Sequence, residues 1–302
     1  MVDLDFAFFN ILSMDRRGLL YQKFFLDRLA PIFFPPRVAR LLDLRDLDSR
    51  VCNIVLPLGP GNLQNLDREK KKKLLEQSRG ILGDFNLGAM AVDRRLKNDF
   101  LALAPGQPFI FGDRFIQTLA LVLTRQAVSR QAFRKIVIAG ATDNFPFFLE
   151  SICQFQLPVS IQTPCPERFD VMAYRLLYEK GCTVTNSYLA PESWKDGDLI
   201  LAFNPWPFPG HQLSRSVMFL PLYDSTQDLA PELELQLRQC GLEGRLHHVA
   251  PVLESSLLSK AGYFQANEEP NNFKEKQIMN FPDMENMGHQ MGLWDQFLDK
   301  AF

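Results

Sequence analysis

The segment at residues 134–150 constrains the fold of this chain more than any other. Its residues 136–139 (Ile-Val-Ile-Ala) form a short apolar run that is typical of a strand buried on both faces, and Gly140 ends the run. Three residues that can cap a helix come next: Thr142, Asp143 and Asn144. An apolar stretch through Ile152 then favours a helix. A strand, a glycine turn and a helix N-terminus in this order predict the start of a βαβ unit, in which the N–H groups and dipole of the helix can receive a pyrophosphate.

The turn in this segment departs from the glycine pattern of dinucleotide-binding proteins. That pattern, G-x-G-x-x-G, places its second and third glycines at Thr142 and Phe145 in this chain. A Cβ atom at residue 142 obstructs the approach of a diphosphate, and Phe145 is too large for close contact between helix and strand. Pro146 suits the first turn of a helix but supplies no N–H. A doubly wound domain whose first loop no longer binds a nucleotide is therefore the open alternative.

Beyond this segment the chain alternates strand-like and helix-like patterns, as a parallel sheet requires. A helix is predicted at residues 167–180, and Gly181 caps it. Further strands are predicted at residues 159–161, 182–185, 198–203, 217–222 and 246–252. Together with residues 136–139, they make a sheet of about six strands.

The preceding part of the chain has strand and helix patterns of its own. Strands are predicted at residues 2–12, 51–56 and 87–92, and helices at residues 15–30 and 63–82. The glycine–proline turn at residues 57–62 lacks the Gly-Lys-Ser/Thr ending of a phosphate-binding loop, which favours a plain loop. A helix that Asp113 can cap then links this part to the strand at residue 136.

These patterns predict an α/β fold class, with a Rossmann-like doubly wound parallel sheet preceded by a smaller α/β domain. The predicted domains are an N-terminal substrate-type α/β domain at residues 1–112, a linking helix at 113–133, a Rossmann-like dinucleotide-binding domain at 134–265, and a C-terminal excursion with a docking helix at 266–302.

The C-terminal part combines two patterns. Residues 266–285 are polar and interrupted by proline, which indicates a surface excursion. Five apolar residues near the end share one face of a predicted helix: Leu293, Trp294, Phe297, Leu298 and Phe302. We expect this helix to pack either on the body of the chain or on a second subunit in a homodimer.

The composition of the chain limits the kinds of binding partner and metal site that can be expected. The chain has 302 residues with 33 basic and 35 acidic side chains, a balance that gives no reason to expect nucleic acid or an anionic membrane surface as a partner. The sequence contains neither a signal-peptide pattern nor an apolar run of about 18 residues, so we expect a cytoplasmic protein with no membrane span. Five dispersed cysteines and four histidines lack the spacing of metal ligands, and no metal site is predicted.

Five short segments follow one another in an order known from a protein family. They are Leu87-Gly88-Ala89, Phe111-Gly112-Asp113, Gly140-Ala141-Thr142, Glu167-Arg168 and Val252-Leu253-Glu254-Ser255-Ser256. Over roughly residues 50–265 the chain resembles the acyl-carrier-protein reductases that make fatty aldehydes, which are loosely called predicted amino-acid dehydrogenases. The two-domain plan of that family is similar to that of shikimate dehydrogenases.

The chain departs from this family at four functional positions. Both later glycines of the turn are absent, and Pro164 replaces an arginine suited to the 2′-phosphate of NADP, which leaves Arg168 as the nearest cation. Ser256 stands where the family has its cysteine nucleophile. Because a serine needs a base to activate it, whereas a thiolate forms near neutral pH, this change argues against thioester chemistry.

The resemblance implies an NAD(P)-dependent oxidoreductase-like protein that acts on a small or acyl carbonyl substrate in a cleft between domains. The residues that would hold the diphosphate are Gly140, Thr142, Asp143 and Asn144, those that would face the adenosine ribose are Thr163 and Arg168, and Asn204 would lie beside the nicotinamide. Asp113 would orient the substrate, and Ser256 would be a polar donor near the reacting carbon. The alternative is a catalytically inactive dehydrogenase-like scaffold that binds another ligand or a protein partner.

Overall fold

The computed structural model describes residues 4–85, 87–104, 109–140, 145–205, 216–223, 234–235, 237–238, 245–264 and 279–301. The chain divides into two compact units. The first comprises Met1–Gly112, Leu235–Glu243 and His248–Asn280, and the second comprises Asp113–Glu234, Gly244–His247 and Phe281–Phe302. The domain limits at residues 112, 133 and 265 stay a prediction.

The described strands and helices are numbered here in chain order. The strands are β1 (Phe6–Ile11), β2 (Arg37–Leu44), β3 (Ser49–Leu56), β4 (Met90–Val92), β5 (Phe109–Ile110), β6 (Lys135–Ala139), β7 (Val159–Gln162), β8 (Val184–Ser187), β9 (Asp198–Ala202) and β10 (Met218–Pro221). The helices are α1 (Lys23–Phe33), α2 (Pro60–Gln64), α3 (Arg68–Asp84), α4 (Lys97–Leu103), α5 (Asp113–Arg130), α6 (Phe145–Cys153), α7 (Asp170–Lys180), α8 (Leu246–Lys260), α9 (Phe281–Gln290) and α10 (Asp295–Ala301).

The first unit contains a mixed sheet with the strand order β2-β3-β1-β4-β5. Strand β2 pairs antiparallel with β3, and the other pairs are parallel. Alternate residues of β1 (Ala7, Phe9 and Ile11) belong to the apolar core on one face of the sheet, together with Cys52 and Ile54 of β3. Both strands were predicted from their apolar patterns, and the structure confirms them.

The second unit contains a wholly parallel sheet with the described strand order β10-β9-β6-β7-β8. Counted from β6 along the chain, this is the order 3-2-1-4-5 of a Rossmann-like fold. Residues 136–139 of β6 are completely buried, as expected for a central parallel strand covered on both faces. The predicted α/β class with a Rossmann-like parallel sheet preceded by a second α/β unit is therefore confirmed.

The prediction of a strand at residues 246–252 was wrong. These residues belong to α8, and the parallel sheet has five strands in the part of the chain that the structure describes, instead of about six. The buried residues Leu246, Val249, Ala250, Leu253 and Leu257 recur at the spacing of one helix face. A short apolar run does not by itself distinguish a strand from a buried helix, and here the buried pattern continues for the length of a helix.

Three helix boundaries also differ from the predictions. Helix α1 begins at Lys23, after a 3₁₀ turn at Leu19–Tyr21, and Pro31 lies inside it. Residues 281–285 of the predicted surface excursion at 266–285 belong to α9 instead, and its residues 266–278 lie outside the described part. The predicted helix at residues 63–82 is two helices, α2 and α3.

The C-terminal helices of the second unit pack on α5. Trp294 is completely buried and stacks on Phe115 of α5, with 5.3 Å between the ring centroids. The Thr118 hydroxyl oxygen of α5 lies 3.3 Å from the sulfur of Met284. Arg125 of α5 also forms an ion pair with Glu285. The C-terminal helices thus dock on their own chain.

Candidate functional site

The strand order of the second unit reverses at β6. Strand β6 pairs with β7 on one side and with β9 on the other. The chain passes from β6 to β7 and β8 and returns to the opposite side of β6 for β9 and β10. In such sheets, ligands bind outside the carboxyl ends of the two strands where the order reverses. Here these ends are Ala139 of β6 and Ala202 of β9.

Gly140 lies at this reversal point and ends β6, as predicted. Its φ is +100°, which favours glycine, and its N–H donates to the carbonyl oxygen of Gln162 at 2.8 Å. A Cβ atom at this position would lie 2.3 Å from Oδ1 of Asn204, the second residue after β9. The structure therefore brings together Gly140 and Asn204, two of the residues that the sequence assigned to the cofactor.

The remaining diphosphate residues of the prediction, Thr142, Asp143 and Asn144, lie outside the described residues. Helix α6 begins directly after them, and its first residue, Phe145, is buried. The Phe145 ring packs against Phe148 and Phe169, with centroid distances of 6.2 and 4.8 Å. The bulky residue at the third glycine position is thus accommodated among other aromatic side chains of this unit.

Thr163 directly follows β7, where the sequence placed an adenosine contact. Its side chain is buried, and Oγ1 accepts a hydrogen bond from the N–H of Cys165 at 3.2 Å. The preceding residue, Gln162, is also buried; its Oε1 accepts from Nε1 of Trp194 at 2.8 Å and its Nε2 donates to the Ser193 hydroxyl at 3.1 Å. The polar groups at the end of β7 are therefore bonded within the protein.

Arg168, the second predicted adenosine contact, is exposed in a 3₁₀ turn at Pro166–Phe169. Its neighbour Glu167 accepts a hydrogen bond from the hydroxyl of Tyr188 at 2.6 Å. This bond lowers the pKa of Glu167 and raises the pKa of Tyr188, because it stabilises the ionised carboxylate and the protonated phenol. Tyr188 lies 21 residues after Glu167, and no local sequence pattern joins the two, so this contact was not predicted.

The two predicted catalytic residues belong to different units. Asp113 is the first residue of α5 in the second unit and is buried. Ser256 lies on α8 in the first unit and is completely buried, and its oxygen has no hydrogen-bond partner in the part of the chain that the structure describes. A role for Ser256 at a reacting carbon stays a prediction, and it would require this closed position to become accessible.

The glycine–proline turn of the first unit is not a plain loop. Helix α2 begins in it, and the N–H groups of Gly61 and Asn62 both donate to Oδ1 of Asp15, at 2.8 and 3.1 Å. The Asn62 side chain in turn accepts from the N–H of Arg16 at 2.9 Å. An acidic side chain of the chain itself thus occupies the place where a phosphate would meet this helix N-terminus.

Neither a metal centre nor a membrane span is found among the described residues. These residues contain no group of three or more His, Cys, Asp or Glu side chains arranged to hold a metal ion. None of the described helices is both long enough and apolar enough to cross a bilayer.

The chain matches no protein-family model and no curated protein. Among solved structures, an L-tryptophan dehydrogenase from Nostoc punctiforme is similar over 98% of this chain and 81% of its own, with 13% identity and a TM-score of 0.41. A hetero-hexameric, leucine-bound glutamate dehydrogenase from Thermus thermophilus is similar over 99% and 82%, with 14% identity and a TM-score of 0.35. At these values, the description of the fold rests on the strand order given above.

Proposed function

We propose that the second unit binds a nicotinamide dinucleotide and that the chain is an NAD(P)-dependent oxidoreductase-like protein for a small or acyl carbonyl substrate. The observation that carries this proposal is the position of Gly140. It ends the central strand of a parallel sheet in Rossmann-like order, at the point where that order reverses. A glycine in this place lets a ligand approach the backbone more closely than any other residue does.

Gly140 and Asn204 fit this ligand best among the described residues. A Cβ atom at 140 would lie 2.3 Å from Oδ1 of Asn204, so glycine allows the Asn204 amide to lie against the end of β6. A carboxamide both donates and accepts hydrogen bonds, which suits the amide group of a nicotinamide. A bound nicotinamide ring would supply hydride transfer to a carbonyl carbon or, in reverse, from the carbon of the corresponding alcohol.

The test is a titration of the full chain with NADH and with NADPH, followed by nucleotide fluorescence. We expect binding of at least one of them below millimolar concentration. Asn204→Asp keeps the side-chain shape but adds a negative charge at the reversal point, and it should weaken binding about tenfold or more. Asn98→Asp adds the same charge on the exposed surface of α4 in the first unit and should leave binding unchanged.

A catalytically inactive scaffold that binds another ligand or a protein partner is the second candidate. The complete burial of Ser256 favours it, because the one residue assigned near the reacting carbon is closed to substrate. The hydroxyl of Thr163 is also engaged within the protein. If neither NADH nor NADPH changes fluorescence or thermal stability at millimolar concentration, the oxidoreductase proposal is discarded and this second candidate takes its place.

A further inference from the structure

Strand β8 forms one edge of the parallel sheet in the second unit, and helix α7 lies beside it. The carbonyl oxygens of Thr183 and Ser187 accept hydrogen bonds from N–H groups of β7 and of the residue after it. Because alternate residues of a parallel strand bond in opposite directions, Val184 and Asn186 direct their main-chain groups outward. No other strand lies on that side in the part of the chain that the structure describes.

The edge of β8 lacks most of the features that prevent one strand from pairing with another. Edge strands are commonly protected by short length, charged residues, prolines or bulges. The edge strand β2 of the first unit carries Arg37 and Arg40, and its register shifts between Val38 and Arg40. Apart from being short, β8 has none of these features: it consists of Val-Thr-Asn-Ser in unbroken register with β7. Its outer edge can therefore accept a further strand.

Helix α7 is apolar on the side that faces away from the sheet. Leu176 is buried on its inner side. Val171, Tyr174 and Tyr178 recur at the spacing i, i+3, i+7 and therefore share the opposite side, where they are 82%, 65% and 84% exposed. A helix that is apolar on opposite sides is ordinarily covered on both. We therefore expect a further group of atoms to cover the outer side of α7.

The two flanks of α7 have different neighbours. On one flank, Nη2 of Arg175 lies 3.4 Å from Oε1 of Glu150, so α6 is the neighbour on that side. The other flank carries Asp170 and Leu177, two turns apart. Oδ1 of Asp170 accepts a hydrogen bond from Nδ2 of Asn186 in β8 at 3.0 Å. The second flank therefore lies on the side of the open strand edge.

We infer that the outer edge of β8 and the open flank and outer side of α7 form the interface of a homodimer, and we call them the α7 edge surface. A two-fold axis perpendicular to the sheet would place β8 antiparallel to its copy and, at the same time, α7 antiparallel to its copy. Because α7 connects β7 with β8 and covers that pair, the two helices would be two strand spacings apart, about 10 Å, which is a distance at which helices pack. One symmetry operation therefore provides a partner for both elements.

The charges on α7 favour a second copy in this antiparallel arrangement. Asp170 is the first residue of α7 and Lys180 is the last, and both are exposed. In antiparallel helices, Asp170 of each copy lies near Lys180 of the other, and the positive end of one helix dipole meets the negative end of the other. Between these charge pairs lie Tyr174 and Leu177 of both copies. Tyrosine is enriched in interfaces, because its ring buries apolar area while its hydroxyl reaches water.

Sedimentation equilibrium of the full chain tests this interface. We expect a monomer–dimer equilibrium with a Kd of about 1–100 μM, as suits an interface at the small end of specific sizes. Leu177→Glu should weaken the dimer at least about tenfold, because it places a carboxylate among apolar side chains. Leu101→Glu on α4 is the matched control, since Leu177 and Leu101 are 46% and 45% exposed, and it should leave the dimer unchanged. A chain that stays monomeric up to about 1 mM would overturn the interface, as would a dimer that Leu177→Glu leaves unchanged.

A charge exchange tests the antiparallel arrangement of the helices. Asp170→Lys and Lys180→Asp should each weaken the dimer about tenfold, because like charges then meet at both ends of the helix pair. The chain with both substitutions should recover the original Kd to within about threefold. Residues 170 and 180 are about 15 Å apart along one helix, so an ion pair inside one copy cannot cause this recovery. A double variant that is as weak as the single variants would overturn the antiparallel arrangement.

Hydrogen exchange tests the pairing of the strands. The amides of Val184 and Asn186 should exchange at least about tenfold more slowly in the dimer than in Leu177→Glu at the same protein concentration, because the dimer pairs them with a second strand. Equal exchange rates would overturn the pairing of β8. The interface does not depend on nucleotide binding: Leu177→Glu should leave the NADH and NADPH titrations unchanged, so the two proposals can fail separately.

Discussion

Two glycine turns of this chain follow parallel strands, and different groups of the protein lie against them. In the first unit, the turn after β3 carries the N-terminus of α2, and Asp15 accepts hydrogen bonds from two of its N–H groups. In the second unit, the turn after β6 begins at Gly140, and the neutral amide of Asn204 lies against that glycine. A glycine turn before a helix is therefore an anion site only where the protein does not supply the anion itself.

The two turns also differ in the atoms that an added Cβ would contact. At Gly59, an added Cβ would meet backbone atoms, Cα of Asp15 and the carbonyl oxygen of Met14, each at 2.6 Å. At Gly140, the added atom would meet the end of a side chain, which can move. The first turn is thus closed by the main chain, whereas the second is bounded by a movable group.

Gly59→Ala should give the largest loss of stability, about 3 kcal/mol in the free energy of unfolding, because main-chain atoms must shift to make room. Urea unfolding measures the loss. Gly80→Ala on α3 is the control: its added Cβ meets no atom within 4 Å, and the substitution should be neutral or stabilising by up to about 1 kcal/mol. A loss below about 1 kcal/mol for Gly59→Ala would show that the first turn is not closed by the main chain.

Gly140→Ala should cost about 2 kcal/mol, which combines the strain of a left-handed φ with displacement of the Asn204 amide. Gly181→Ala separates the cost of the left-handed φ from the cost of displacing the Asn204 amide. Gly181 has a φ of +65° and open space around its position, so its substitution should cost only about 1 kcal/mol. Equal losses for the two variants in urea unfolding would show that the Asn204 amide moves aside freely.

Tyr188→Phe should give the smallest effect, a change in the pKa of the Glu167 carboxylate in the second unit. Asp15 in the first unit accepts from backbone N–H groups, whereas Glu167 accepts from the Tyr188 hydroxyl. Loss of that hydroxyl should raise the pKa of Glu167 toward its ordinary value, because the ionised form loses a donor. NMR titration of the glutamate carboxyl carbons measures the shift, and Tyr178→Phe, an exposed tyrosine on α7, is the control.

The sign of the associated pH dependence follows from the lowered pKa of Glu167. The stability that the bond to Tyr188 contributes is present above the unfolded-state pKa of glutamate and is lost as the pH falls through the lower, folded-state value. Tyr188→Phe should therefore reduce stability near neutral pH more than at strongly acidic pH. An unaltered Glu167 titration in the variant would contradict the hydrogen bond.

Local patterns predicted the centre of the second unit correctly. The run at residues 136–139, the glycine after it and the apolar stretch of α6 each express a preference of neighbouring residues, and all three were confirmed. Strand β2 was missed because the first five of its eight side chains are exposed, so its sequence shows no buried alternation. Pairing with β3, rather than its own residue pattern, makes it a strand.

The sequence alone determined the alternation of strands and helices, the parallel sheet and the position of Gly140, because those features depend on residues close together in the chain. Only the tertiary structure decided that Asp15 fills the first turn, from 46 residues before Gly61, and that residues 246–252 belong to a helix. It also decided that Tyr174 and Tyr178 of α7 face away from the sheet. These outcomes depend on which distant segments the fold brings into contact, and no local pattern of side chains carries that information.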